Sequence, residues 1–241
     1  MPLPRLRSWL GIEIVEISNH EKLISAIGAG LSILALMAVS TALLPLAAAG
    51  CVIASMGASA VLLFGVPHGP LSQPWPVLAG HLLSAFVGIA CARHIPIPFL
   101  AAACAVGISV GLMQQLRCIH PPGGATAFTA VMGGDAIQHL GYQFAIVPVL
   151  ANAVVMVTLA VLINQAFPWR RYPVAFSRSA KETPQRAATP THEEVIAALQ
   201  SIDSFVDISE EDLLRLIEIL HLKKPSRLNR PASEKPALDE K

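Results

Sequence analysis

The chain has 241 residues, of which 54% are hydrophobic and only 14% are charged, with a formal net charge of +1. Soluble domains carry roughly 25% charged residues, so this composition excludes an ordinary soluble domain. The chain also lacks the basic cluster that nucleic-acid binding needs, so nucleic acid is excluded as a partner. Between Leu23 and Trp169 the charged residues are Arg93, Arg117 and Asp135. We therefore predict an all-α integral membrane protein in a lipid bilayer.

The N-terminal segment, residues 1–22, mixes arginines and glutamates with isoleucines. It lacks the uninterrupted apolar stretch and the small-residue cleavage site of a secretory signal. We interpret it as an amphipathic segment that lies on the membrane surface.

The transmembrane domain is predicted over residues 23–169. Four apolar runs, at 24–44, 77–92, 99–116 and 144–167, are long enough to span a bilayer. A fifth run, 46–66, is interrupted in its middle by small residues between Ser55 and Ala60. We predict four transmembrane helices and two broken, re-entrant half-helix segments.

The second broken segment is His120-Pro121-Pro122-Gly123-Gly124-Ala125-Thr126-Ala127. Two prolines end a preceding helix, and residues 125–132 form a predicted helix that is too short to cross. A helix that begins inside a membrane directs unpaired N–H groups and the positive end of its dipole at whatever lies before it. The pattern therefore indicates an anion-binding half-helix.

The two broken segments resemble each other, because Gly57-Ala58-Ser59-Ala60 aligns with Gly124-Ala125-Thr126-Ala127. Paired interrupted segments in matching positions are typical of the binding sites of transporters. We expect backbone N–H groups, two hydroxyls and one guanidinium to hold the anion, and His120 to carry a coupled proton. The predicted substrate-binding residues are Gly57, Ala58, Ser59, Arg117, His120, Gly123, Gly124, Ala125 and Thr126.

Structural interpretations of the same residues stay open. Glycine, alanine and serine also let membrane helices pack closely, His120 can bond a helix-end carbonyl, and Arg117 can extend to lipid headgroups. We assign His68, His81 and His139 to loops or helix contacts. The four cysteines have no CxxC spacing, so they are predicted to be packing residues, and no metal or cofactor is expected.

Basic residues predict the orientation in the membrane. With four spans, Arg93 and the Arg170-Arg171 pair share the side of the N-terminus, which places both termini in the cytoplasm, and Arg117 lies opposite. If 46–66 crosses fully, Arg93 moves outside. We expect the inner (plasma) membrane of a bacterium.

The chain changes character after residue 169. Residues 170–190 are predicted to form a linker, and 191–222 a short cytoplasmic helical pair opened by a capping box at Thr191. Residues 223–241 are predicted to be a disordered tail. We expect the helical pair to pack on itself, on the membrane domain or on a second copy of the chain. Whether the protein forms a homo-oligomer therefore stays open.

The His120-Pro121-Pro122 segment, with Gly57-Ala58-Ser59-Ala60 and Gly80-His81 before it, resembles the signature of the HPP family of small integral membrane proteins. The resemblance implies four transmembrane helices and a role in membrane transport. Plant-chloroplast and cyanobacterial relatives are implicated in nitrite transport. Many bacterial relatives continue into a pair of nucleotide-sensing CBS motifs, where this chain has only its two short acidic helices.

We predict a transporter or channel for a small anion, with nitrite as the candidate. The alternative is a regulatory or scaffolding membrane protein that acts through its cytoplasmic tail without transport. A membrane enzyme is the least supported class, because the core contains no paired carboxylates and no nucleophile–base arrangement.

Overall fold

The computed structural model describes residues 17–176, and every regular element within them is a helix. Five of the helical stretches are long and apolar enough to cross a membrane, which confirms the all-α membrane fold class. The α-helices are α1 (Asn19–Leu43), α2 (Leu46–Ala60), α3 (Pro74–His94), α4 (Pro98–Gln115), α5 (Pro121–Met132), α6 (Asp135–Leu140) and α7 (Ala151–Gln165). A π-helical stretch, Val61–Gly65, continues α2, and another, Ala145–Leu150, leads into α7.

Several predicted regions lie outside the described residues. They are the surface segment before residue 17, the part of the linker beyond residue 176, the helical pair at 191–222 and the tail at 223–241.

One end of the bundle is identified by contacts between residues far apart in the chain. Glu21, in the first turn of α1, forms an ion pair with Arg170, which follows α7. Tyr172 donates its hydroxyl to the carbonyl of Ser72, just before α3, at 2.8 Å. The starts of α1 and α3 and the end of α7 therefore lie together, and we call this the Glu21 end.

The opposite end, which we call the Arg93 end, holds the C-terminus of α3. The Arg93 guanidinium lies 4.8 Å from the centre of the Tyr142 ring, which stands between α6 and α7. Helices α1 and α3 therefore run from the Glu21 end to the Arg93 end, and α2, α4 and α7 run back.

The first predicted break is not present, because α2 passes through Ser55–Ala60 as continuous α-helix. Leu46–Gly65 is therefore a fifth long apolar helix, and the predicted count of four is corrected. A break in an apolar medium would leave backbone groups unpaired, whereas a small residue within a helix leaves the backbone bonds intact. The Ser55 hydroxyl also bonds the carbonyl of Val52, at 2.9 Å, within the same helix.

The second broken segment is a short helix, as predicted, but it begins four residues earlier, at Pro121. The two prolines occupy the first helical positions, where a backbone N–H has no helical partner to lose. Twelve residues span about 18 Å, which is too short for a bilayer. The chain nevertheless does not return to its starting side. Trp75 Nε1 bonds the carbonyl of Leu116, at 3.3 Å, near the Glu21 end, and the segment after α5 reaches the Arg93 end.

This path of the chain places Arg93 and Arg117 on the sides of the membrane opposite to those predicted. Arg117 lies at the Glu21 end with Arg170, and Arg93 lies at the opposite end. The basic residues Lys22, Arg117, Arg170 and Arg171 still outnumber those at the Arg93 end. The Glu21 end therefore stays the predicted cytoplasmic side.

Helix α3 lies at the centre of the bundle and packs closely on α5. A Cβ atom at Gly88 would lie 2.6 Å from the carbonyl oxygen of Ala127 and 2.6 Å from the Cβ of Ala130. A Cβ at Gly123 would lie 2.9 Å from the carbonyl oxygen of Gly80. Only glycine allows the two backbones to approach this far.

A buried ion pair joins the helix ends at the Glu21 end. Arg170 is fully buried and, besides pairing with Glu21, donates to the carbonyl of Phe64 at 2.7 Å and to Asn164 Oδ1 at 3.0 Å. Burial lowers the pKa of Arg170, and Glu21 opposes that shift. Because these partners belong to α1, to the extension of α2 and to α7, one guanidinium fixes three helix ends. Arg170 was predicted to begin the linker after the last transmembrane helix, and its pairing with Glu21 was not predicted.

We expect Gly88→Ala to lower the free energy of unfolding by about 1–3 kcal/mol, because the added methyl group overlaps the α5 backbone. Gly107→Ala, in α4, is the matched control, since a Cβ there meets nothing within 4 Å. Thermal unfolding of the purified proteins in detergent compares the two. Equal stability of the two variants would contradict the close packing of α3 on α5.

We expect Glu21→Gln to lower the free energy of unfolding by about 3–5 kcal/mol, because it leaves the Arg170 charge buried without its counter-charge. Arg117→Met is the control, because the Arg117 side chain is exposed. Denaturation by SDS in mixed micelles measures both. If Glu21→Gln is no more harmful than the control, the ion pair does not hold these helix ends.

Candidate functional site

Five polar side chains meet inside the apolar bundle, between α2, α3 and α5. They are Ser55, Ser59, His81, His120 and Thr126, and each is at most 1% exposed. We call them the polar network. Buried polar groups in such surroundings are costly unless every one is hydrogen-bonded, so their number marks this as the candidate site.

Local backbone geometry brings the two imidazoles together. His81 lies within α3, and His120 is the residue that caps the start of α5, with an extended backbone. A Cβ at Gly80 would lie 2.8 Å from the Cβ of His120 and 3.1 Å from the carbonyl oxygen of Cys118. The glycine before His81 therefore makes room for the segment that carries His120.

Ser59 lies at the middle of the network. Its Oγ is 2.8 Å from Nε2 of His81 and 2.8 Å from Nε2 of His120. The two rings stand edge to face, with centroids 4.9 Å apart. A single hydroxyl thus bridges the two imidazoles.

Each imidazole has a further partner on its other nitrogen. His120 Nδ1 lies 2.9 Å from the carbonyl oxygen of Leu71, and His81 Nδ1 lies 2.7 Å from Oγ1 of Thr126. Thr126 Oγ1 is in turn 3.1 Å from Oγ of Ser55. The network is therefore one continuous chain of hydrogen bonds, from α2 to the loop before α3.

When both imidazoles are neutral, the hydrogen-bond partner at one end of the chain of bonds determines which nitrogen of each ring carries the hydrogen. A carbonyl oxygen only accepts, so His120 Nδ1 carries its hydrogen, and His120 Nε2 must accept from the Ser59 hydroxyl. Ser59 Oγ then accepts from His81 Nε2–H, which leaves His81 Nδ1 to accept from Thr126. Ser55 donates to the carbonyl of Val52 in its own helix, at 2.9 Å. The hydrogen-bond partners therefore assign one tautomer to each neutral imidazole, with the hydrogen on Nδ1 of His120 and on Nε2 of His81.

The predicted site residues fall into two groups. The structure brings Ser59, His120 and Thr126 together, and Gly123 packs against the α3 backbone beside them. The other five do not join the network: Gly57 and Gly124 are half-buried, and Ala58, Ala125 and Arg117 are exposed.

The predicted role of backbone N–H groups needs correction. Gly57, Ala58 and Ser59 lie within α2, where N–H groups bond carbonyls of the same helix. At the start of α5, Pro121 and Pro122 carry no N–H, and the N–H of Gly123 donates to the carbonyl of His120 at 2.8 Å. The polar groups gathered at this site are imidazoles and hydroxyls instead.

Two members of the network, His81 and Ser55, were not predicted as site residues. His81 was assigned to loops or helix contacts, although a histidine in the middle of an apolar span is itself a signal of function. Ser55 stood in the small-residue stretch that was interpreted as a break. Among the described residues, no three His, Cys, Asp or Glu side chains form a group that could hold a metal ion.

The sequence of the chain is similar to one protein family and to two curated proteins. The family model for the transmembrane region of HPP proteins matches residues 15–173. Two transmembrane proteins of Dictyostelium discoideum are similar to the chain. The first is 42% identical over 126 residues, which are 51% of this chain and 44% of that protein. The second is 39% identical over 124 residues, which are 50% of this chain and 40% of that protein.

The matched segments thus span less than half the length of these curated relatives. No solved structure matches the chain. Because the family model covers well over half of the chain, including every helix described above, this protein belongs to the HPP transmembrane family.

Proposed function

We propose that this protein transports a small anion across the membrane and that the polar network is its binding site. The observation that carries the proposal is the placement of two imidazoles and three hydroxyls, all buried, between helices α2, α3 and α5 of the membrane domain. Nitrite is the first candidate, because the family resemblance includes relatives implicated in nitrite transport.

The chemistry of the network favours an anion over a cation. Imidazole and hydroxyl groups donate hydrogen bonds to a small anion, and a protonated imidazole supplies a positive charge. Metal cations prefer carboxylates and other oxygen ligands. Within residues 17–176 the acids are Glu21, which is paired with Arg170, and Asp135, which is exposed in α6. Neither belongs to the network.

The path of the chain supports transport. Helices α1 to α3 cross the bundle in three alternating passes, and α4, α5 and α7 follow with the opposite starting direction. Many transporters are built from two such inverted repeats, with the substrate between them. Ser59 and Thr126 occupy matching positions in the two similar segments of the sequence. They lie on the middle helices of the two sets and bond opposite nitrogens of His81.

An accompanying proton makes inward movement of an anion feasible. Carrying one negative charge against the membrane potential costs about 2.3 kcal/mol per 100 mV. A proton that moves with the anion cancels this term. The network contains the two histidines that can hold such a proton.

The test is nitrite uptake by proteoliposomes that contain the full chain, at two pH values. We expect uptake by the wild type, and at least about tenfold slower uptake by Thr126→Val, which equals about 1.4 kcal/mol of lost binding or transition-state stabilisation. The valine keeps the shape of threonine but leaves His81 Nδ1 without its donor.

Thr158→Val is the matched control, because the Thr158 hydroxyl is exposed and bonds its own helix at Val154. We expect its uptake to equal that of the wild type. The proposal fails if a panel of small monovalent anions that includes nitrite is not taken up at either pH, or if Thr126→Val and Thr158→Val behave alike.

A further inference from the structure

We propose that the polar network binds one excess proton, which His81 and His120 share through the hydroxyl of Ser59. This inference rests on the proposed function in one respect, that the proton accompanies the anion. The hydrogen-bond geometry and the two ends of the chain of bonds support the shared proton.

The network ends in a backbone carbonyl on both sides. His120 donates to Leu71 at one end, and Ser55 Oγ lies 2.9 Å from the carbonyl oxygen of Val52 at the other. In the neutral state the Leu71 carbonyl receives the His120 hydrogen, and the Val52 carbonyl receives the Ser55 hydrogen. Because Thr126 donates to His81 Nδ1, no hydrogen then lies between Thr126 Oγ1 and Ser55 Oγ, which are 3.1 Å apart.

An excess proton fills this gap, because it turns the Thr126 hydroxyl from His81 to Ser55. When His81 is the cation, its Nδ1–H donates to Thr126, Thr126 donates to Ser55, and Ser55 donates to Val52. His81 Nε2–H still donates to Ser59, and the Ser59 hydroxyl still donates to His120. The hydrogens therefore balance with one proton added and every acceptor satisfied.

The same proton can pass to His120. His81 Nε2 gives its hydrogen to Ser59 Oγ, and the hydrogen already on Ser59 moves to His120 Nε2. His120 is then the cation, His81 is neutral with its hydrogen on Nδ1, and the reoriented Ser59 hydroxyl donates back to His81 Nε2. Each transfer breaks one N–H or O–H bond and forms another, so the charge moves between the rings without a net change.

A second excess proton is opposed. With both rings cationic, both Nε2–H groups point at Ser59 Oγ, and its own hydrogen is left with the carbonyl oxygen of Ser55, at 3.4 Å, which also accepts a backbone N–H of the same helix. Two like charges would also stand 4.9 Å apart in apolar surroundings. The site therefore holds one proton and not two.

Other ionisable groups do not complete the network within the described part of the chain. On α2 and α4 the ionisable side chains are cysteines, and α5 and α7 carry none. The remaining groups lie at the two ends of the bundle: His20, Glu21, Lys22, His68, Arg117, Cys118, Arg170, Arg171 and Tyr172 near the Glu21 end, and Cys91, Arg93, His94, Asp135, His139 and Tyr142 near the Arg93 end. Burial raises the pKa of the Cys118 thiol, which therefore stays neutral.

The test is nitrogen-15 NMR of histidine-labelled full-length protein in lipid bilayers. Variants His81→Asn and His120→Asn assign the two rings among the eight histidines. At alkaline pH we expect the hydrogen of His120 on Nδ1 and that of His81 on Nε2. On acidification we expect both rings to move together, as exchange-averaged signals that account for one added proton. The opposite pair of tautomers, or two added protons, would overturn the proposal.

The variant Ser59→Ala removes the bridge and keeps both imidazoles. We expect the averaged signals to separate into slow exchange, while Ser59→Thr retains averaging. Ser84→Ala is the control, because Ser84 is buried on α3, the helix of His81, and its hydroxyl contacts the Met113 sulfur, at 4.0 Å. If Ser59→Ala retains averaging, the bridge is refuted.

The histidine tautomers of the wild-type protein test the shared proton even if Ser59→Ala does not fold. Absence of anion uptake with the expected tautomers would refute the proposed function alone. Uptake with the wrong tautomers would refute only the shared proton.

Discussion

The close approach of α3 and α5 is the constraint on which the rest of the structure depends. Gly80, Gly88 and Gly123 remove the side chains that would separate the two backbones, and this approach sets His120 and Thr126 against His81. Inside an apolar bundle no water completes an unpaired hydrogen bond. The helices therefore have to meet in the register that satisfies every atom of the polar network, and the network in turn specifies that register.

Two buried polar clusters divide the work of the bundle between them. The Glu21–Arg170 pair is charged and joins three helix ends. Removing either charge leaves the other buried without a counter-charge, which is strongly unfavourable, so the pair suits a fixed anchor. The polar network is held together in its neutral form by hydrogen bonds alone and ends in two carbonyls. It can therefore change its charge by one proton while the backbone stays in place. A fixed anchor beside a site of variable charge suits the proposed movement of an anion.

Much of the fold was predictable, because α1, α3, α4 and α7 are long apolar runs and α5 begins with two prolines. The continuity of α2 was not, since small residues allow either a break or a helix, and the medium decides between them. Ser59, His120 and Thr126 were predicted as site residues, whereas His81 was assigned to loops or helix contacts although its place in an apolar span is a signal of function. The pairing of Glu21 with Arg170 joins residues 149 positions apart, and no local pattern records it. The helical pair predicted at 191–222, and the regulatory role predicted for it, stay predictions.

The central claim is that the polar network lies on the path of the solute, and thiol accessibility at Thr126 tests it most directly. Thr126→Cys, in a chain whose four native cysteines are replaced by alanine, is treated in proteoliposomes with a membrane-impermeant thiol reagent from each side. The account predicts labelling from both sides and slower labelling when nitrite is present. A thiol that stays unreactive from both sides while Thr158→Cys is labelled, or labelling that nitrite does not change, would contradict it.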